Sequence, residues 1–442
     1  MARRNRVFRD YRERLFTTET RSTQSSEYFL IKNSFLRDLG ACPPPGRRAS
    51  AVQFPSSCNE SAVARLATQK PEYPRKRTTI TAGVTVVGVL LATLALAQQP
   101  TASTSSAGAP AALKKTIEAA RQEGQVIAHD LDFSPAAYRN VEAAFNKHFG
   151  LNIKITWAPF DNYPTDSAKA ITEHKSRATP SVDLLRTGER QVPLLVEAGA
   201  IQKVNWTPLL APGTPSEADL HKDLSLVWKS NIYCTAFNSK KISAKEVPGS
   251  WWDLADAKWN GQIVTPPWAG SYVADLAVWL GKMSQEELLN RLRAVVKNKP
   301  ILQSNSDIHN RLQIGELRLA FWIPNDFQEE LRRKGLPMEC KAMDYIPVTN
   351  HLVVVRAGAR HPNAAALLAA FMAGPQGFKL LEAEARGNYL YPESYQSMEF
   401  QKLKASGLPA LNRGTDLNYA KWLASKEYED LNAAISRALR GR

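Results

Sequence analysis

Polar and aromatic residues gather where four apolar segments give way to loops. Asp130, Asp132 and Ser134 follow a strand over 125–129, and Arg186 and Thr187 follow one over 182–185. Trp268, Gly270, Ser271 and Tyr272 open a helix after a strand over 262–265, and Trp322, Asn325 and Asp326 end and follow a strand over 317–322. In α/β sheets, ligands sit outside the carboxyl ends of strands, where loops and helix N termini offer N–H donors. Asp, Asn, Ser and Trp side chains at such ends suit hydrogen bonding, charge pairing and cation–π contact with a small polar organic molecule. Asp132 and Asp326 favour a cation. Arg186 and the helix N terminus at Ser271 favour an anion, and the residues alone leave the balance open. Each also has a purely structural reading. Asp132 and Ser134 are ordinary helix caps, Arg186 is a surface ion-pair partner, and Trp268 and Trp322 are core residues.

Covalent and metal chemistry have little support. The seven histidines show no HExxH or paired-ligand spacing, and neither GxSxG nor GxxxxGK[ST] occurs. Cys234 is the one alternative nucleophile, with no base identifiable near it in sequence. An enzyme is therefore not expected, and no cofactor is implied.

The charge of +15 resembles a nucleic-acid binder's until it is divided along the chain. Residues 1–97 hold 16 Lys+Arg against 7 Asp+Glu, so +9 lies there and the other 345 residues carry only +6. That remainder lacks the concentrated basic stripe of a nucleic-acid partner, and no nucleic acid is expected. Residues 1–74 are rich in Arg, Ser and Pro without sustained periodicity, and read as a disordered or mis-assigned upstream extension. Arg75-Lys76-Arg77, the uncharged run 80–97 and the Ala95-Leu96-Ala97 ending have the form of a signal peptide over 75–97, cleaved after Ala97. A membrane anchor is the alternative, because the run is just long enough to span. Residues 98–111 read as a flexible spacer. Two cysteines remain beyond it, Cys234 and Cys340, an even count that permits one disulfide in an exported protein.

From 112 onward, short apolar strands alternate with amphipathic helices, the sign of an α/β fold. A strand over 125–129, a helix over 135–149 and a strand over 152–157 open it. Further strands are expected at 231–237, 338–343 and 351–356, and helices at 325–333, 362–372, 375–385 and within 416–439.

Three segments carry a resemblance. Residues 247–263 (VPGSWWDLADAKWNGQI), Gly315-Glu316 before a strand, and 358–366 (GARHPNAAA) occur in that order. They resemble the P-x-S-W-x-D-L…K-W-x-G-x-I, G-E and G-A-x-H-P-N-A-A segments of family 1 extracellular solute-binding proteins, in the branch of ferric-iron, polyamine and thiamine binders. The resemblance implies a two-lobed α/β type 2 periplasmic-binding fold with crossing hinge strands. Lobe one would span 112–235 with 350–442, and lobe two 236–345. It also implies a monomeric periplasmic protein that takes a small polar solute into the interlobe cleft and delivers it to an ABC permease in the inner membrane. A sensor subunit is an alternative role. In the ferric branch two adjacent tyrosines ligate the metal, and Asn325 and Asp326 stand at the matching positions. The branch's histidine ligand would fall near Ser134. A ferric-binding protein of the same family thus remains an alternative without its usual ligands.

Overall fold

The structure, a computed structural model, describes residues 111–440 apart from 278, 279, 282 and 416. The expected upstream extension, the signal peptide and all but the last residue of the spacer lie outside the described residues.

The chain starts with helix α1 (Ala111–Glu123), β1 (Gln125–His129), α2 (Pro135–Phe149), β2 (Lys154–Ala158), α3 (Tyr163–Lys175), β3 (Leu184–Gly188) and α4 (Val192–Glu197). Local chemistry sets the boundaries. Ser134 accepts a hydrogen bond from the Ala137 N–H at 3.2 Å, Pro135 occupies the first turn, and Gly150 ends α2 in the left-handed region at φ 65°. The middle holds β4 (Leu226–Asn238), β5 (Val264–Thr265), α5 (Gly270–Ala277), α6 (Gln285–Val296), β6 (Ile301–Leu302), α7 (Asn305–Gln313), β7 (Leu319–Pro324), α8 (Asn325–Arg333), β8 (Met338–Lys341) and β9 (Ile346–Val355). The last part is α9 (Pro362–Ala373), α10 (Pro375–Ala383), α11 (Tyr395–Lys404), β10 (Ala410–Asn412), α12 (Leu417–Leu423) and α13 (Lys426–Leu439).

The main sheet runs β2-β1-β3-β9-β4-β7, with β10 on β9 and β8 on β4. β1 is parallel to β2 and β3, whereas β9 is antiparallel to both β3 and β4. The two largest apolar cores among the described residues lie along this sheet. The first joins Val126, Phe145, Trp228, Val353 and Phe371. Its central helix α9 is apolar on all sides, as a fully buried helix must be. The Glu123 carboxylate accepts from Asn363 N, Asn363 Nδ2 and Ala364 N, which satisfies donors at the start of that helix. The second core joins Trp251, Trp259, Leu288, Phe321 and Trp322 with Tyr428 and Ile435.

β4 and β9 connect the two. Residues 226–232 of β4 pair with β9, and residues 233–238 pair with β7 and β8. All thirteen residues of β4 are buried, so the strand passes through the middle of the molecule.

One expected boundary is corrected. Helix α13 packs against α5 and α6, so residues 426–439 go with the second lobe, while α12 packs on the second core and also touches α4 of the first lobe. The cause is the α13 apolar stripe of Tyr428, Leu431, Ile435, Ala438 and Leu439, which fits a surface of the second core. At the contact, Gly270 lies so close to Ile435 that an added Cβ would stand 2.7 Å from its Cγ2.

Candidate functional site

A cavity of about 830 Å³ opens between the lobes, with the crossing strands as its floor. Side chains of a strand alternate between faces. Lys229, Asn231 and Tyr233 of β4 therefore face the cavity together, beside Thr349 and His351 of β9. His351 is fixed at both nitrogens, by Asn231 Nδ2 at 3.0 Å from Nε2 and by the Tyr163 hydroxyl at Nδ1. Burial and the nearby Lys229 and Arg186 charges push its pKa well below the ordinary value, so the ring is neutral. Asn231 Nδ2 then donates to Nε2, and Nδ1–H donates to Tyr163.

The walls come from both lobes. Asp132, Phe160, Tyr163 and Arg186 rise from the first. Trp268, Ser271 and Tyr272 rise from the second, where Tyr233, Trp268 and Tyr272 form an aromatic trio with ring centroids 4.7–5.8 Å apart. Tyr428, Asn432 and Ser436, spaced four apart along α13, close one side.

Five basic side chains line this space: Arg186, Arg190, Lys229, Arg386 and Arg413. Arg186 forks onto Asp132, with Nη1–Oδ1 at 2.8 Å and Nη2–Oδ2 at 2.6 Å, and its guanidinium lies 4.1 Å from the Phe160 ring centre. Burial opposes the charge on Asp132, but Arg186 prevails and holds the carboxyl well below the usual range. Lys229 pairs with Asp326 at 2.8 Å, and Arg386 approaches the same carboxylate at 3.5 Å. Arg413 donates to Asp275 at 3.0 Å and to the Ser271 carbonyl at 2.8 Å. Arg190 is half-buried over Tyr428 at 4.8 Å, with no ion-pair partner among the described residues. Glu189, a fourth acidic group beside Asp132, Asp326 and the exposed Asp161, is pushed up to about 7 by burial, against the Asn350 backbone N–H and the Arg413 charge. It is partly neutral at physiological pH.

The structure brings Asp132, Arg186, Trp268, Ser271, Tyr272 and Asp326 together on the cavity wall. The other six named residues do not line it. Asp130 accepts from the Tyr138 hydroxyl and from Asp132 N at 2.6 Å, which shapes the loop. Ser134 caps α2. β3 runs to Gly188, not to 185 as expected, so Thr187 lies within a strand and faces away, 3.4 Å from the Ser167 hydroxyl. Gly270 is covered by α13. Asn325 accepts from the Ile232 N–H at 3.1 Å and thereby ties α8 to β4.

Trp322 has the clearest physical cause. Between Cys234/Ala236 of β4 and Ile323/Ala320 of β7 the register gains one residue, and Trp322 takes φ 53°. That bulge turns the indole into the second core, where it stacks with Tyr272 at 5.3 Å. Cys234 and Cys340 are joined as a disulfide with Cα atoms 5.7 Å apart, which removes Cys234 as a nucleophile.

Sequence reasoning missed Lys229, Asn231, Tyr233, Thr349, His351, Arg386, Arg413 and the α13 residues. A signal for three of them was present. In LVWKSNIYCTAFN, polar or aromatic residues at 229, 231 and 233 recur with period two inside a long strand, marking one wet face.

The overall fold recurs in known proteins. A search of curated protein sequences finds no match to this chain. Among solved structures, a substrate-binding protein of an ABC transporter from Agrobacterium tumefaciens superposes with TM-score 0.57 at 13% identity, over 72% of this chain and 94% of that one. Iron-bound HitA from Pseudomonas aeruginosa gives 0.52 at 19%, over 70% and 99%. The periplasmic binding protein AfuA from Actinobacillus pleuropneumoniae, with fructose-6-phosphate bound, gives 0.53 at 16%, over 72% and 99%. At these identities the superpositions establish the two-lobed α/β fold. The family itself follows from sequence, since residues 141–405 match the one described as bacterial extracellular solute-binding protein. Its members bind small solutes and partner an ABC permease, are not enzymes, and are periplasmic in bacteria; this chain belongs to that family.

Proposed function

We propose that this chain captures a small acidic organic solute between its lobes and delivers it to a membrane permease. One observation carries the choice of charge. Five basic groups line the cavity, while Asp132 and Asp326, which in sequence favoured a cation, are already paired with Arg186 and Lys229. Against the other three stand Asp275 behind Arg413, the exposed Asp161 and a partly neutral Glu189, so a small excess of positive charge remains in the cavity. A cavity with fixed excess positive charge selects anions, and the guanidinium groups supply directed donors for carboxylate or phosphate. Fructose-6-phosphate in AfuA is a solute of that charge. Arg186, Trp268, Ser271 and Tyr272 remain contact residues in this reading. Lys229 and Arg386 join them, and β4 and β9 act as the hinge.

Screening polar solutes by thermal shift tests the charge. One or more acidic compounds are expected to raise the melting temperature, because a ligand that binds the native state stabilises it by mass action. Stabilisation confined to polyamines or other cations would overturn the assignment.

Export is part of the same proposal. The 75–97 segment would be removed after Ala97, leaving a monomeric mature protein. N-terminal sequencing of the native protein is expected to begin at or next to Gln98. A native chain that retains 75–97 sinks the cleavage reading in favour of an anchor.

A further inference from the structure

We infer that the solute carries two acidic groups, held on opposite flanks of β9. The inference rests on the acidic-solute reading above and adds the number and placement of the charges.

β9 divides the cavity floor. Along one side it pairs with β3 over 351–355 and with β10 over 346–348, and along the other side it pairs with β4. Arg190 follows β3 by two residues. Arg413 follows β10 directly, its N–H toward the Val348 carbonyl at 3.4 Å. Both therefore belong to the β3/β10 flank. Lys229 lies on β4 itself, and Arg386 is anchored beside it, because the next residue, Gly387, accepts from the Ser230 N–H at 3.2 Å. Two strand spacings, on the order of 10 Å, separate the flanks.

Each flank holds one cation in a close ion pair and one without, and the remaining cavity carboxylates are the partly neutral Glu189 and the exposed Asp161. Arg413 is matched by Asp275 and Lys229 by Asp326. Arg190 has no ion-pair partner among the described residues. Arg386 approaches only carboxylates already engaged, Asp326 at 3.5 Å and the part-exposed Glu330 at 3.8 Å, and its Nε and Nη1 are buried without a hydrogen-bond partner. A single anionic group reaches one flank and leaves the other guanidinium without a close anionic partner. Two groups satisfy both. Between them the floor is neutral and polar: Thr349, the uncharged His351, and Asn231, whose Oδ1 is buried without a partner and accepts from a hydroxyl or amide in the middle of the solute.

The two acidic groups are carboxylates, phosphates or one of each, and matched pairs of probes separate these sources. The pairs are adipate with monomethyl adipate, phosphoglycerate with glycerol phosphate, and a hexose bisphosphate with its monophosphate. By calorimetric titration, at least one doubly acidic member is expected to bind about tenfold or more tightly than its singly acidic partner. Arg190→Met and Arg386→Met are each expected to reduce that preference to about threefold or less. The Arg190 variant breaks no ion pair among the described residues, so its result stands even where the Arg386 variant fails to fold. Equal affinity within every pair, or no binding by any doubly acidic member, overturns the inference. If singly acidic solutes bind as well as doubly acidic ones, the acidic-solute reading survives and only the second charge is lost. Binding by cations alone removes both.

Discussion

Asp275→Asn is expected to cost about 3–5 kcal/mol of folding stability, the range for removing one partner from a buried ion pair. Asp275 is fully buried near the middle of α5, and its carboxylate receives Arg413 Nη2, the Tyr345 hydroxyl at 2.8 Å and the Tyr419 hydroxyl. Three donors, from the residue before β9, the residue after β10 and α12, thus converge on one group. The asparagine keeps the shape, leaves the Arg413 charge uncompensated, and offers one oxygen where two accepted. The melting temperature is expected to fall by roughly 10 °C for a protein of this size. Tyr345→Phe removes a single neutral donor and is expected to cost only about 1 kcal/mol. Urea titrations of both variants check the contrast; a loss under about 1 kcal/mol for Asp275→Asn would show that Arg413 is solvated or paired elsewhere. The same substitution loosens Arg413 against the cavity, so solute affinity should fall with stability.

The second large effect concerns the disulfide. Cys234 and Cys340 join β4 to β8 and close a loop with a sequence separation of 106. Closing so long a loop in the unfolded chain is worth about 4–5 kcal/mol in the chain-entropy account, and native disulfides commonly yield 2–4 kcal/mol. The double variant Cys234→Ala, Cys340→Ala is expected to lose about 3 kcal/mol, and wild-type protein unfolded in excess reductant should match it. Identical midpoints with and without reductant would mean that the thiols are free in the native protein. Both cysteines are buried, and a bridge of this kind forms and persists where thiols are oxidised. This prediction is therefore also a check on export.

Much of the fold was legible because its signals are local. The Ser134-Pro135 start and Gly150 stop of α2 needed no tertiary knowledge, and neither did the wholly apolar α9. The tryptophan segment is anchored as its sequence suggests. Ser250 and Asp253 form a capping box, and Trp251 is fully buried. At 284–287 only half of such a box exists: Ser284 accepts from Glu287 N at 3.1 Å, but the Glu287 carboxylate turns to Arg291 at 2.6 Å. The α7 cap is Ser304, whose hydroxyl accepts from Asp307 N.

The site was legible only at strand ends, where the rule for α/β sheets applies. It is less a ring of loops than a floor of strand interiors. Lys229 faces upward because β4 gains a residue between Val227 and Lys229, and Trp322 faces away because β7 gains one opposite Cys234 and Ala236. A one-residue slip reverses which side chains meet the cavity, and no local pattern announces it. Arg386, Arg413 and α13 come from far along the chain, so only the tertiary fold places them.

The joining of distant segments in both cores has a consequence for how the molecule is made. The first core needs α1 and α9, some 240 residues apart at their contact, and the second needs the tryptophan segment together with α13 at the end of the chain. Neither core can complete itself until a segment far along the chain has been synthesised, and contacts so remote in sequence form slowly. A chain whose cores wait on such remote partners stays open for longer, the state in which a polypeptide can be threaded across a membrane.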